Sequence, residues 1–579
     1  MRRASGRRAL ARDERKETTM PRMTGNRYFA EAVHAYGITH VFFVPTIMLP
    51  AMAAMEDTGI RRVVTHGEKA AAYMADGYAR AARRPGICLA QTVGSANLAA
   101  GLRDAYLACS PVIALTGGVT AGSRYKHVYQ EIEDFPMWEQ VTKANFHVDA
   151  LERFPDLLRQ AFRAATSAAP GPVHLEMAGT HAQVLEREAE LEPLWEDRFT
   201  KVPAFRPEPE PDAVRAAIQA LGQAERPVIV AGGGIMWSGA ETELTKLAEL
   251  LQIPVATSLN AKAALSDDHP LNVGVPGTYS RWCANRVLAE ADLVFFIGSH
   301  AGGQVTTNWQ VPKPGIAAIQ LDIDPEELGR NYPLKAALLG DAKVTLQKLI
   351  AAAAPARSRQ GWIDRAQSLV REYREESDRA RGSNAVPIRP ERICKEISDW
   401  LPDGGVVLSD TGHSGMWTGQ MIRLTRPGQR FLRCAGSLGW GFPATLGAKC
   451  ALPDRPVIGF CGDGGFYYHL AELETAARFN INAIMLVNNN YALNQEKHLF
   501  DEAYGGQQRG RAKEMWHFSH EVNFARVAEA MGCVGIRVDR PDDIRPALEK
   551  AFASNSPAVV EVISDVDAMS KRAWRPSVA

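Results

Sequence analysis

Short apolar runs, each bounded by glycine, proline or a polar turn, alternate along most of the chain with stretches whose apolar positions recur every three or four residues. Between about Asn26 and Leu185 the runs are "HVFFVP", "ICLAQT", "PVIALTG" and "PVHLEM", with "KAAAYMADGYARAA" as a helical pattern among them. Continuous apolar runs flanked by turn residues predict strands buried on both faces, and helices between them make such strands parallel. A second unit of the same kind runs from about Ala213 to Ala352, with strands "PVIVAGG", "PVATS", "LVFFIG" and "AAIQLDID". A third runs from about Pro387 to Ile563, with "VVLSD", "RFLRCA", "PVIGFCGDG", "AIMLVNN" and "AVVEVI". No close sequence repeat relates the three. The fold class is α/β, three domains, each a mainly parallel sheet flanked by helices.

The expected boundaries are a disordered extension over residues 1–23, a first domain over 24–185 and a charged, proline-rich linker over 186–212. A central domain over 213–352, a linker helix over 353–386, a third domain over 387–565 and a tail over 566–579 follow. The extension begins "MRRASGRRALARDERKETTM"; its Asp13, Glu14 and Glu17 argue against an organelle transit peptide, and an upstream start codon ahead of Met20 or Met23 would explain it.

Composition narrows the function. With 579 residues, 46% hydrophobic and 23% charged, the chain can bury several cores. Lys plus Arg equals Asp plus Glu at 66 each, so no global field draws it to nucleic acid or an anionic membrane. The default partner is a small molecule. No apolar run reaches the roughly 18 residues that span a bilayer. The eight cysteines, scattered without a CxxC pair, fit a reducing compartment, and the expected location is cytoplasmic.

The chemistry concentrates in "CGDGGFYYHLAELETAARFNINAIMLVNNN", Cys461 to Asn490. "PVIGFC" and "NAIMLVNN" read as parallel strands joined by a helix, with Phe466, Leu470, Leu473 and Ala477 at helical spacing. Strands of one strand-helix-strand unit point the same way, so Asp463 and Asn490, 27 residues apart, both belong at the carboxyl edge of the sheet. A carboxylate and an amide oxygen suit Mg²⁺, which keeps phosphate or water oxygens as its other ligands. Gly462, Gly464 and Gly465 let a phosphate approach the backbone, and the helix that follows offers unpaired N–H groups. Either cluster alone reads as a glycine turn with a capping Asp, or as an Asn-rich loop. Together they describe a metal-bridged diphosphate site.

Here the sequence resembles the thiamin diphosphate (ThDP) enzymes, whose signature is GDG, about two dozen residues, then NN, matched by Gly462-Asp463-Gly464 and Asn489-Asn490. The resemblance covers almost the whole chain and is strongest to the acetolactate synthase and benzoylformate decarboxylase group. It implies that Asp463, the Asn490 side chain and the Ala492 carbonyl bind Mg²⁺, which holds the cofactor diphosphate. "HGEKAAAYMADGYARAARRPGICLAQTVGSANLAAGLRDAYLACSPVIALTGG" resembles the group's pyrimidine-binding domain, and Glu68 falls on the glutamate that hydrogen-bonds the aminopyrimidine ring. A buried Glu with a raised pKa would suit that task, since a proton held at the ring nitrogen shifts the cofactor's tautomer. The competing reading of Glu68 is a surface helix residue. "GSLGWGFPATLGAK" resembles the segment that supports the bent cofactor, with Leu438 beneath it, and in "SDTGHSGMW" Gly412 and His413 should contact the diphosphate. The family pattern often has Gln at the position of His413, which reads equally as a turn histidine. The resemblance also implies that the cofactor lies between the first domain of one chain and the last of another, hence a homodimer or homotetramer.

Several positions depart from the family. "VPTIMLP", Val44 to Pro50, replaces a glycine-rich loop, and a Phe-Gln-Glu motif becomes Tyr129-Gln130-Glu131, which carries a substrate role for Gln130 only weakly. After Asn490, "YALNQEKHLF" places Gln495 and Glu496 where acetolactate synthases turn apolar residues toward the thiazolium. Glu496 would then shuttle a proton to substrate, as in relatives that cleave 2-hydroxyacyl-CoA thioesters; the alternative is a solvent-facing Glu paired with Lys497. In "VAGGGIMWSG", Trp237 stands where a Rossmann fingerprint needs its third glycine. The arginine of FAD-binding members is absent from "IGSHAGGQVTTNW", so a functional FAD is not expected. An adenine nucleotide could be held through Asp322 or Asp324, unless these cap a helix over "PEELGRNY". The tail carries Lys571, Arg572 and Arg575 beside Trp574, which would meet CoA phosphates or fray.

The expected activity is a ThDP- and Mg²⁺-dependent reaction that makes or breaks a carbon-carbon bond next to a carbonyl. Decarboxylation or carboligation of a 2-keto acid comes first, a 2-hydroxyacyl-CoA lyase releasing formyl-CoA with Glu496 as acid and base second. A catalytically silent regulatory subunit is the third reading, against which Glu68, Asp463 and Asn490 all speak.

Overall fold

Every apolar run named above forms a strand, and the strands stack into three six-stranded, wholly parallel sheets. In the first, the order is Arg61–Val64, His40–Phe43, Gly86–Ala90, Val112–Gly118, Val173–Ala178, Ala144–Val148. The second runs Asn272–Gly274, Val255–Thr257, Pro227–Ala231, Leu293–Ile297, Ala317–Asp322, Leu334–Leu339. In the third the order is Arg430–Arg433, Val406–Ser409, Val457–Gly462, Ile484–Asn489, Ala558–Ile563, Val534–Val538. The computed structural model of the chain describes residues 20–354, 358–518 and 520–576. The arginine-rich residues 1–19 of the expected extension lie outside these.

Within the three large sheets, five strands were not foreseen: Arg61–Val64, Ala144–Val148, Asn272–Gly274, Leu334–Leu339 and Val534–Val538. All five lie at sheet edges. An edge strand meets a neighbour on one side only, and four of these five mix exposed or half-buried with buried positions, as in Leu334–Leu339, where only Ala336 and Leu338 are buried; Asn272–Gly274 is wholly buried but only three residues long. Three further differences are local. The stretch after Asp463 forms two short helices, Asp463–Tyr467 and Glu472–Arg478, instead of one. "PEELGRNY" forms turns instead of a helix, with Gly329 at positive φ. Arg22–Thr24, placed in the extension, pairs antiparallel with Glu188–Glu190, placed in the linker.

The charged segment before the third domain forms helix Gln360–Arg381. Its Trp362 donates to the Pro227 carbonyl at 2.9 Å and its Tyr373 to the Gln420 carbonyl at 2.8 Å, tying the central domain to the third. The first and third domains share a core outright: Met74, Ala75, Phe442, Leu446 and Phe466 belong to one buried cluster. Its centre is the crossing of helix Glu68–Ala82 with helix Gly441–Ala451. A Cβ on Gly77 would lie 2.1 Å from the Ala444 carbonyl oxygen, and one on Gly447 would lie 1.9 Å from that of Met74. Both backbones are touching, and no side chain fits between them.

The expected result for G447A is therefore loss of this crossing, at a cost of about 3 kcal/mol or more, because neither backbone can yield locally. Thermal unfolding compared with wild type checks it; an unchanged transition would show that the helices separate freely.

Candidate active site

Strands Val457–Gly462 and Ile484–Asn489 are parallel neighbours, with Gly462 opposite Asn488, so both end at one edge as anticipated. Asp463 follows at once, and its carboxylate is 2% exposed. Oδ1 accepts from the Gly464 N–H at 2.7 Å; Oδ2 accepts from the N–H groups of Asn490 at 3.2 Å and Ala492 at 3.0 Å. The chain after the second strand wraps the carboxylate, and among the described residues no Lys, Arg or His side chain pairs with it. Burial pushes the Asp463 carboxyl up to about 7 from 3.8, against the pull of the backbone N–H groups.

Strand alternation decides which asparagines serve the site. Asn488 and Asn490 line the cavity, and the Oδ1 of each is buried without a hydrogen-bond partner among the described residues. Asn489 turns the other way and donates to Glu561 Oε1 at 2.7 Å. An unpaired buried amide oxygen costs free energy unless a ligand satisfies it. One buried carboxylate with the unpartnered Asn488 and Asn490 amide oxygens on the same cavity wall is a donor set that a hard divalent cation takes, so the residues present fit such an ion.

The cavity measures about 300 Å³, and its lining brings together Gly412, His413, Leu438, Gly462, Gly464, Gly465, Gln495 and Glu496, all singled out in the sequence, with Asp410, Ser414, Tyr279, Trp417 and Ala568, which were not. Gly412 has φ +64 and stands at the start of helix His413–Met421, a conformation that a side chain resists. His413 Nδ1 bonds Asn494 Oδ1, while Asn494 Nδ2 donates to the Val566 carbonyl. The amide oxygen only accepts, so Nδ1 carries the proton; burial lowers the imidazole pKa and keeps the ring neutral. His413 thus has a structural partner as well as a place on the cavity wall. Glu496 lies in the first turn of helix Asn494–Ala503 and does not pair with Lys497, which bonds Asp567 instead.

Two predicted residues lie away from this cavity. Glu68 begins helix Glu68–Ala82 at the carboxyl edge of the first sheet, half-buried; Asn97 Nδ2 donates to its Oε2 at 3.3 Å, and its side chain covers Gly94. Gln130 sits in the 119–134 loop at φ +65, with Oε1 buried and unpartnered among the described residues. Its neighbour Glu131 accepts from the N–H groups of Tyr125 and Val128 and so braces that loop.

A second cavity, about 350 Å³, opens at the carboxyl edge of the central sheet, bordered by Gly232–Gly234, Trp237, Gly298, His300, Asp322 and Arg433. Asp322 lines it. Asp324 instead accepts from the Glu326 N–H at 2.9 Å, capping the turn that replaces the expected helix. The tail is pinned: Lys571 pairs with Glu376, Arg572 with Glu502, and the Trp574 carbonyl accepts from Asn285 at 3.0 Å.

Sequence reasoning missed Asp410, Asn488 and Asn494. Asp410 ends strand Val406–Ser409 as Asp463 ends its own, and that shared position was the available signal. Asn488 was legible from alternation once Asn490 was assigned.

Three α/β domains, of which the third keeps buried oxygen donors over a glycine-lined cavity, define a class of enzyme that works through a diphosphate cofactor. Comparison with known proteins is specific about which. Family profiles described as the N-terminal TPP binding domain, the central domain and the C-terminal TPP binding domain of thiamine pyrophosphate enzymes match residues 23–137, 214–349 and 410–562. The chain is 32% identical over 557 residues to a probable acetolactate synthase large subunit of Methanocaldococcus jannaschii, covering 94% of this chain and 92% of the relative. A glyoxylate carboligase of Escherichia coli O157:H7 is 32% identical over 556 residues, 91% of each chain. The acetolactate synthase large subunit of Corynebacterium glutamicum is 30% identical over 565 residues, 94% of this chain and 88% of the relative. The chain belongs to the thiamin diphosphate enzyme family. Among the described residues, no helix is long and apolar enough to cross a membrane.

Asp463 and Asp410 are both held near 7 by burial. In the unfolded chain each ionises near 4, so between those values the folded state binds more protons, and stability falls as pH rises. In cofactor-free protein these two carboxyls should contribute a loss of thermal stability from about pH 4 to 7 that levels off above, opposed by the rise from the buried His40 and His469, whose pKa burial lowers to about 4. D463N should remove its share of the slope and leave that of Asp410; calorimetry across this range in both proteins checks it.

Proposed function

We propose that this ThDP enzyme is also Mg²⁺-dependent and decarboxylates a 2-keto acid, passing the product carbon to a proton or to a second carbonyl, as a carboligase of acetolactate synthase type. The observation that carries the reading is the buried Asp463 carboxylate beside the unpartnered Asn490 oxygen, in a chain whose relatives are named acetolactate synthase and glyoxylate carboligase. Asp463, Asn490 and the Ala492 carbonyl would hold Mg²⁺, with the Gly412 and Gly464 backbone cradling the diphosphate. Bound ThDP supplies a carbon nucleophile and a sink for the electron pair left when the bond beside a carbonyl breaks. Leu438 would support the cofactor, and Glu68 would hold a proton against its pyrimidine ring.

Glu68 lines no part of its own chain's cavity, which supports a site shared between two chains in a homodimer or homotetramer. Glu496, on the cavity wall without a lysine partner, is the acid-base group for protonating product. The same placement favours, as a second reading, cleavage of a 2-hydroxyacyl-CoA to formyl-CoA. Against it, Lys571 and Arg572 are already engaged by glutamates and are poorly placed to meet CoA phosphates.

Pyruvate, benzoylformate and short 2-hydroxyacyl-CoA thioesters should be compared with ThDP and Mg²⁺ present, following CO₂ and formyl-CoA. CO₂ from a keto acid is expected; formyl-CoA without CO₂ would establish the lyase. E68Q should lower turnover by about 10²-fold or more. E496A should retain ThDP binding and lose about 10²-fold only if proton transfer by this carboxylate limits the rate.

The central cavity, with glycines at two strand ends and Asp322 on its rim, suits an adenine nucleotide. ADP titrated calorimetrically into the protein should show saturable binding that D322A weakens about tenfold; no heat with wild type would remove the nucleotide.

A further inference from the structure

The segment that carries Leu438 has no regular structure of its own, yet two buried carboxylates hold it at alternate residues. From the first domain, Asp104 on helix Ser95–Leu107 is 0% exposed; Oδ1 accepts from the Ala435 N–H, and Oδ2 accepts from the Ser437 N–H at 2.9 Å. From the third domain, Asp410, 2% exposed, accepts from the N–H groups of Gly439 at 3.0 Å and Gly441 at 3.3 Å. Leu438 lies between the two sets and lines the cofactor cavity. Arg80 fixes one end, donating to the Arg433 carbonyl at 2.7 Å, and Trp440 donates to Asp76 at 2.8 Å.

We propose that Asp104 and Asp410 are paired positioning residues: a two-domain carboxylate clamp that sets the height of Leu438 in the cofactor cavity. The proposal rests on the reading that ThDP binds in this cavity above Leu438. Each carboxyl group accepts at least two backbone N–H groups in a dry setting, where a hydrogen bond is electrostatically stronger than in water. Burying two carboxylates to brace a surface turn would be wasteful, since unpaired charge is costly inside a protein. Bracing a residue that must meet a cofactor within a fraction of an ångström requires that stiffness.

The clamp also links the domains. Helix Ser95–Leu107 packs on helix Glu68–Ala82 so closely that a Cβ on Gly101 would lie 2.5 Å from Ala72 Cβ. A shift of the helix that begins with Glu68 is therefore passed to Asp104 and on to Leu438.

The test uses the full chain with Mg²⁺ and compares D104N, D410N, L438A and the doubles D104N/L438A and D410N/L438A. ThDP uptake is followed by quenching of intrinsic fluorescence, which Trp417 on the cavity wall should report, and turnover is measured on the keto acid that wild type uses. Each Asn variant should lose about tenfold or more in kcat, with KM and ThDP affinity changed little, because a misplacement of about 1 Å is felt in the reacting geometry. In the L438A background the Asn substitutions should add nothing further, since residues acting through one group are not additive. Losses that multiply with that of L438A, or a drop in thermal stability with kcat unchanged, would overturn the clamp and leave the cofactor reading intact. Failure of wild type to take up ThDP would overturn both. Where an Asn variant does not fold, D104E and D410E, which keep the charge and displace it by one methylene, carry the same comparison.

Discussion

Helix Glu68–Ala82 and helix Gly441–Ala451 meet backbone to backbone, and most of what the site needs is hung from that crossing. It fixes the distance between two domains whose crossing helices start 373 residues apart, at Glu68 and Gly441. Glu68 opens one of the two helices. The other starts immediately after the Leu438 segment, and Trp440, at its entrance, is held by Asp76 from across the crossing. Side chains repack at modest cost, whereas two touching backbones leave no such slack. The contact thus holds the start of helix Glu68–Ala82 and the Leu438 segment in one rigid reference frame.

Within that frame the third domain is electrostatically incomplete. Asp463 is buried with only backbone N–H groups to stabilise its charge, and Asn488 and Asn490 keep unpartnered oxygens beside it. Folded structures rarely tolerate this without a ligand to satisfy the donors. On the reading proposed above, the same unsatisfied oxygens would give a divalent cation and a diphosphate their hold. Asp410, equally buried, differs in having its acceptors spent on the backbone around Leu438, and so serves geometry instead of ligation.

The thirteen strands read from the sequence include every interior strand of the three sheets, because an interior parallel strand must be apolar on both faces and announces itself as an unbroken run. Arg61–Val64 and Val534–Val538 escaped notice because an edge strand carries no such requirement. Asp463 and Asn490 were legible for a different reason: a parallel strand-helix-strand unit sends both strand ends to one edge, whatever the details. Asn489 could be separated from Asn490 only by knowing the pleat, and the helix expected over "PEELGRNY" failed because Asp324 caps a turn there, with Gly329 in a left-handed conformation.

The sequence by itself determined the three parallel sheets, the meeting of Asp463 with Asn490 and the chemical character of that meeting, since each follows from local pattern and chain direction. The tertiary structure alone decided that Asp104 and Asp410 reach one segment from two domains, that Glu68 stays away from its own chain's cavity, and that Lys497 turns to Asp567 and leaves Glu496 on the wall. Those facts depend on how distant segments pack, and a linear pattern of apolar and polar residues carries no record of which side chains a folded chain will bring face to face.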